Sequence, residues 1–208
     1  MTENWIKWSR KLQAISQTGL HFSKDQYDRE RYEEIGILAA EILAEHTNLS
    51  VAKLLQLNNV EFGYATPKVD VRGVVFQDEK ILLVREIADA GRWTLPGGFA
   101  DVNETPSQAV VREVREESGF ETQAIKLLAI YDREHQQHTP PLPYSIYKLF
   151  FHCRIIGGQP QVNNEVSDIS FFSETEIPVD LSEARVKKSQ LIRCFEHFQI
   201  PDLPTDFD

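Results

Sequence analysis

The chain has 208 residues, 41% of them hydrophobic and 26% charged, an ordinary globular composition that excludes fibrous and disordered classes. Twenty-two basic residues against thirty-two acidic ones leave a net charge of −10, the wrong sign for a protein that gains affinity by neutralising phosphates, so nucleic acid is not an expected partner. No apolar run approaches the ~20 residues that cross a bilayer, the opening MTENWIKWSRKLQ lacks the apolar core of a signal peptide, and Cys153 and Cys194 are too few for a disulfide framework. A soluble cytoplasmic protein with no membrane partner is the expectation.

Residues 1–57 read as helices. Trp5, Trp8, Leu12 and Ile15 recur at helical spacing and predict one apolar face, ending near Gly19. A second helix is predicted from Ser23 or Asp28 to His46, with Tyr32, Ile35, Leu38, Ala39, Ile42 and Leu43 as its stripe. Ser50 then caps a short third helix carrying Val51, Leu54 and Leu55. Three short helices cannot hide this much apolar surface from each other, so the surface meets the rest of the chain or a second copy. Residues 58–67, with Asn58, Asn59, Gly63 and Pro67, read as a linker.

From Lys68 the texture becomes β-rich. Runs at 69–76 and 81–84 flank the turn Gln77-Asp78-Glu79, and Gly91 to Asp101 reads as a loop marked by glycine and proline. A helix up to Ser118 follows, then β-runs at about 123–135, 144–156 and 166–173, and an amphipathic helix opened by Ser182. Strands with helices between and after them predict an α/β or α+β layered domain over 68–208. This domain also carries the charge. Residues 1–60 hold 7 basic and 8 acidic side chains, whereas the remainder holds 15 and 24.

The chemistry concentrates in Gly98 to Phe120, GFADVNETPSQAVVREVREESGF. Thr105, Pro106 and Gln108 make a capping box with proline at the first helical position, and Gly119 suits the C-terminal stop. On that helix Glu113, Glu116 and Glu117 stand at i, i+3 and i+4, so three carboxylates share one face and repel. Three glutamates alone more often mark a solvated face. A hard divalent cation would relieve the repulsion if they converge, since oxygen ligands suit Mg2+ or Mn2+.

The whole spacing decides between these readings. Gly98, Glu104, Arg112-Glu113-Val114, Glu116-Glu117 and Gly119-Phe120 match the Nudix box at every position, and Trp93-Thr94-Leu95-Pro96-Gly97-Gly98 resembles its approach. The chain therefore resembles a Nudix hydrolase. The resemblance implies a Nudix-type α/β/α sandwich with a mixed sheet, here preceded by a small all-helical domain. It implies Glu113, Glu116 and Glu117 as metal ligands, Arg112 as their orienting partner, Glu104 as loop support or an outer ligand, and Gly98 as a carbonyl beside the metal. Mg2+, with Mn2+ as the alternative, is the implied cofactor. Glu165, in Asn163-Asn164-Glu165-Val166, resembles a late-loop glutamate that some members use as base or further ligand, with plain loop solvation as the competing reading. The general base stays open among Glu116, Glu117 and Glu165.

The implied reaction is metal-dependent cleavage of a nucleoside diphosphate linked to another group, giving a nucleoside monophosphate and a phosphorylated partner. Trp5 to Tyr32 is similar to the helical extension of a bacterial Nudix subgroup that includes CDP-choline and ADP-ribose pyrophosphatases, where the extension helps build a dimer. Homodimerisation aided by 1–57 is thus expected. The alternatives are a hydrolase that sanitises nucleoside triphosphates and, from another class, a Nudix-like ligand sensor fused to a DNA-binding module. The intact box and the near-neutral helices argue against the sensor. Hydrolysis of RNA ends is a weaker possibility.

Outside the box, His135 and His138 lie in a loop beside Pro140 and are candidates for contact with phosphate or base, with plain solvent exposure as the default. Phe76, Trp93, Phe99, Tyr131, Tyr144 and Tyr147 are candidates for base stacking, each with core packing as its default. Both cysteines read as small core residues.

Overall fold

The computed structural model describes residues 4–58 and 63–208, and the Asn59 of the expected linker lies outside them. The chain divides into two compact units.

The first holds α1 (Asn4–Phe22), α2 (Gln26–Glu45), α3 (Val51–Asn58) and the segment 141–145. Asp25 caps α2 by accepting from the amide of Asp28, and Ser50 caps α3 by accepting from that of Lys53. α1 and α2 run antiparallel and pack through small residues. Ser9 Oγ donates to the Ala39 carbonyl at 2.8 Å and Ser16 Oγ to the Tyr32 carbonyl at 2.7 Å. A Cβ on Gly36 would lie 2.7 Å from Ser16 Oγ, and one on Gly19 2.3 Å from the Tyr32 ring. Gly19 therefore does not end the helix as expected; it lets an aromatic ring cross it.

The buried side of α1 is lined by residues that the apolar spacing did not single out. Ile6, Ser9 and Ser16 face inward, and Ile6 joins Ala40, Leu43 and Leu54 in a small core. Trp8 is 61% exposed, Ile15 42% and, one heptad further, Phe22 55%. On α2, Leu38 is likewise exposed, and Gly36, Ala39, Ala40 and Leu43 are the inward residues. The apolar periodicity was a true helical signal, but hydroxyl and glycine positions won the interior because they allow close helix approach with their polar atoms satisfied.

The second unit is a mixed seven-stranded sheet between helices. β1 (Lys68–Gln77) pairs parallel with β5 (Ile146–Gly158), β5 antiparallel with β4 (Phe120–Asp132), and β4 parallel with β7 (Asp206–Phe207). β2 (Lys80–Glu86) meets β1 at Phe76↔Ile81 and pairs antiparallel with β3 (Arg92–Thr94) and β6 (Val166–Phe172). The alternation of β1 splits the core. Val71 and Val75 pack with Ala109, Val110 and Val114 of α4 (Pro106–Ser118), whereas Val74 packs with Leu191, Cys194 and Phe195 of α5 (Lys188–Gln199). Helices on both faces of a mixed sheet give the expected α/β/α sandwich.

Two local expectations are corrected. The loop from Gly91 to Asp101 contains β3, whose Trp93 amide and carbonyl bond to Asp180 and Ser182. The last helix begins at Lys188; Ser182 instead holds a turn by accepting from the amides of Arg185 and Val186 through its carbonyl. β7 carries too short a pattern to be read from sequence. No described helix is long and apolar enough to cross a membrane.

Candidate active site

The site is assembled by α4 and by a turn laid against β1. Thr105 and Gln108 form the reciprocal capping box, Pro106 occupies the first turn, and Gly119 ends the helix in the left-handed region at φ 78°. Ala109, Val110, Val114 and Ser118 anchor α4 to the sheet, which leaves Glu113, Glu116 and Glu117 on the remaining surface.

The turn at Leu95–Gly98 is fixed by backbone. The Val71 amide donates to the Gly98 carbonyl and the Gly73 amide to the Pro96 carbonyl, each at 2.8 Å. Gly97 has φ 146°, and a Cβ there would lie 2.0 Å from the Val71 carbonyl oxygen, so only glycine fits. Its amide donates to Glu117 Oε2 at 2.7 Å. A Cβ on Gly98 would meet Glu113 Oε1 at 2.8 Å, so Gly98 and Glu113 are in close approach.

Arg112 lies at the centre of the carboxylates. Its Nε and Nη2 grip Glu104 at 2.8 and 3.0 Å, and its Nη1 donates to Glu113 Oε1 and Glu116 Oε2, both at 2.9 Å. Asp101 is only a 3.8 Å exposed neighbour of the same guanidinium. The four carboxylates outnumber this one cation. Burial, set against partial relief from Arg72 and the Gly97 amide, pushes the Glu117 carboxyl up to about 7. Burial also raises Glu113, whereas the hydrogen bond from Arg112 holds Glu104 down.

Among the described residues, no three Asp, Glu, His or Cys side chains already converge as a metal cage. The donor set nevertheless fits a hard divalent cation: carboxylate oxygens from four glutamates, a nearby carbonyl, and two carboxyls whose charged forms burial disfavours in the absence of a further cation. The Gly98 carbonyl accepts one backbone bond and retains a second lone pair.

Glu165 is exposed in the loop before β6. Asn163 organises that loop: its Oδ1 accepts from the amides of Glu165 and Val166, and its Nδ2 donates to the Glu116 carbonyl at 2.6 Å. The Glu165 carbonyl accepts from Ile87, and the Glu165 charge helps raise the half-buried Glu86 carboxyl, an effect smaller than burial itself. The loop is thus tied to the C-terminal half of α4.

Sequence reading missed the buried charges beside this turn. Asp70, Arg72 and Lys148 are 5, 3 and 2% exposed, and Glu86 pairs with Arg185. Two charged residues inside the otherwise apolar run of β1 were the available signal. His138 is another correction: it is buried, with Nδ1 2.9 Å from the Glu183 carbonyl and Nε2 3.2 Å from Gln190 Nε2, and burial pushes its pKa down to about 3. Trp93 packs edge-on against Phe172 and Phe76 stacks on Phe198, both in the core. Cys153 and Cys194 are buried, as expected.

Residues 66–194 match the NUDIX domain. The chain belongs to the Nudix family. It is accordingly a hydrolase of pyrophosphate bonds. Residues 3–57 match Nudix_N, described as a UDP-X-like, N-terminal oligomerisation domain. YjhB of Bacillus subtilis (strain 168), provisionally named an ADP-ribose pyrophosphatase, is 44% identical over 98% of this chain and 97% of its own length. An ADP-ribose pyrophosphatase of Methanocaldococcus jannaschii is 32% identical over 55% of this chain and 67% of its own. Among solved structures, a UDP-X diphosphatase is similar with a TM-score of 0.64, 35% identity and coverage of 99% of this chain and 98% of that one. An ADP-ribose pyrophosphatase from Streptococcus suis 89-1591 has a TM-score of 0.61 and 38% identity, covering 69% of this Nudix chain and all of that one.

Proposed function

We propose that this Nudix hydrolase cleaves a nucleoside diphosphate joined to a sugar, ADP-ribose first among candidates, to a nucleoside monophosphate and a sugar phosphate. Glu113, Glu116 and Glu117 would hold Mg2+ or Mn2+, with Glu104 and the Gly98 carbonyl in support. The carrying observation is the bonding of Arg112 to Glu104, Glu113 and Glu116 beside the Gly97–Gly98 turn. The names of the full-length and structural relatives favour ADP-ribose and UDP-linked substrates over CDP-choline and free triphosphates.

A divalent cation, when bound, supplies positive charge to a doubly charged pyrophosphate and makes water acidic enough to attack phosphorus. The chain's own part is orientation. Arg112 holds three carboxylates, the Gly97 amide holds Glu117, and Asn163 holds the loop bearing Glu165, a candidate base along with Glu116 and Glu117.

The test is incubation of the full chain with Mg2+ and, separately, ADP-ribose, UDP-sugars, CDP-choline and nucleoside triphosphates, with products resolved by ion exchange. AMP plus ribose 5-phosphate from ADP-ribose, abolished by EDTA and restored by Mg2+ or Mn2+, is the expected result. Hydrolysis of triphosphates alone, or full turnover after rigorous metal removal, would overturn it. We also assign to the protein a homodimeric state in which a second copy covers the Trp8, Ile15 and Phe22 line of α1, in keeping with the oligomerisation domain it matches.

A further inference from the structure

Asp70 and Arg72 stand two residues apart on β1, and Lys148 lies opposite Asp70 on β5. Lys148 Nζ donates to Asp70 Oδ1 at 2.8 Å, while Arg72 grips the same carboxylate through Nε at 2.8 Å and Nη2 at 2.6 Å. The third guanidinium nitrogen of Arg72 donates to the Leu95 carbonyl at 3.3 Å. Burying three charges is a poor way to gain stability, since apolar residues of similar size commonly do as well or better. Burial pushes the Lys148 ammonium down to about 7, so Arg72 is the permanent cation of the three. The remaining negative groups acting on Arg72 are Glu117 and Glu86.

The position of Arg72 in the chain gives that charge a task. Its neighbours Val71 and Gly73 are the residues whose amides carry the Gly98 and Pro96 carbonyls, and its own side chain reaches the carbonyl of Leu95. One residue of β1 thus contacts the turn through side chain while both its neighbours contact it through backbone. Glu117, held by the Gly97 amide, sits at the end of this arrangement.

We propose that Arg72 is a positioning residue for the glutamate cluster: clamped by Asp70, and through Asp70 by Lys148, its guanidinium holds the Leu95–Gly98 turn, whose Gly97 amide in turn holds Glu117. Metal affinity and turnover then depend on a run of buried charges that begins on β5. This rests on the reading of Glu113, Glu116 and Glu117 as metal ligands.

The sign of one measurement separates the alternatives. Removing a cation beside a cation site strengthens metal binding if the effect is electrostatic alone, and weakens it if the residue positions ligands. Mn2+ binding to the substrate-free full chain is read by electron paramagnetic resonance, alongside kcat, KM and the melting temperature. For Arg72→Met and for Arg72→Lys, which keeps the charge but loses the fork, the expected result is Mn2+ affinity lower by about fivefold or more and kcat lower by about tenfold, with KM within about threefold. Lys148→Met, which leaves the Asp70–Arg72 pair in place, should show the same pattern to a smaller degree, and it carries the test if the Arg72 variants do not fold. Tighter Mn2+ binding in Arg72→Met with Arg72→Lys unchanged would overturn the proposal, as would a lowered melting temperature with wild-type Mn2+ affinity and kcat. Glu117→Gln is the control. If it binds Mn2+ like the wild type, the ligand reading fails and this inference with it. If it loses Mn2+ while the Arg72 and Lys148 variants do not, only this inference fails.

Discussion

Arg112 holds Glu104 by two parallel bonds, Nε to Oε1 at 2.8 Å and Nη2 to Oε2 at 3.0 Å, across eight residues of chain. This pair joins the loop before α4 to the helix, and the free Nη1 then reaches Glu113 and Glu116. Planar, two-point geometry is what a lysine cannot reproduce. Arg112→Lys should therefore lower kcat by about 10–10²-fold, measured under saturating Mg2+ and substrate. A kcat equal to the wild type would remove Arg112 from the catalytic arrangement.

Glu116→Gln should cost about 10²-fold or more in kcat with the fold intact, because it removes charge needed in the transition state. Circular dichroism together with steady-state kinetics checks both halves of that statement.

Glu117 yields a pH prediction for the metal-free protein. Its folded pKa, about 7, lies above its ordinary value of 4.5, so its contribution to stability is present below about pH 4.5 and lost as pH rises through about 7. Glu117→Gln cannot ionise and keeps that contribution. In EDTA, its melting temperature should match the wild type near pH 4.5 and exceed it near pH 8, a gain on the order of 3 kcal/mol. Equal melting temperatures across the range would contradict the burial of this carboxylate.

For Glu165, the tie of its loop to Glu116 through Asn163 motivates a direct role. Glu165→Gln should lower kcat about tenfold with KM nearly unchanged, the mark of an interaction made in the transition state. An unchanged kcat assigns it to loop solvation.

Trp8→Glu and Ile15→Glu test the second copy. Each places a charge on the exposed line of α1 without touching Ile6, Ser9 or Ser16. Sedimentation equilibrium at micromolar concentration should give twice the chain mass for the wild type and the single chain mass for the variants. A monomeric wild type refutes the dimer.

Much of the site was legible because its determinants are local. The capping box, the left-handed stop at Gly119 and the carboxylates at i, i+3 and i+4 all lie within 23 residues, and local spacing fixes them whatever the rest of the chain does. The longer strands and the two covering helices were legible as β- and helix-type periodicity, the sandwich followed from the family resemblance, and the order of strands in the sheet was not read at all. What could not be read depends on distant partners. Lys148 meets Asp70 only because β5 returns parallel to β1, and Asn163 meets Glu116 across 47 residues. The start of α5 was misplaced for a related reason: Ser182 looks like a helix cap, but tertiary pairing with Trp93 uses its backbone first. On α1 the apolar stripe was right as a helix and as surface the helices do not hide, with Trp8 and Ile15 exposed; the inward Ser9 and Ser16 were not singled out because small residues carry no apolar signal.

Gly97 has a further consequence. Its amide serves Glu117, yet the space for its own α-carbon is set by the Val71 carbonyl, so the catalytic turn and β1 tolerate no independent change at this point. In a saturation library, the least permissive position near the chemistry should be one that contributes no side chain to it. A library scored for folding and one scored for turnover should lose that position together, whereas Glu116 would vanish only from the second.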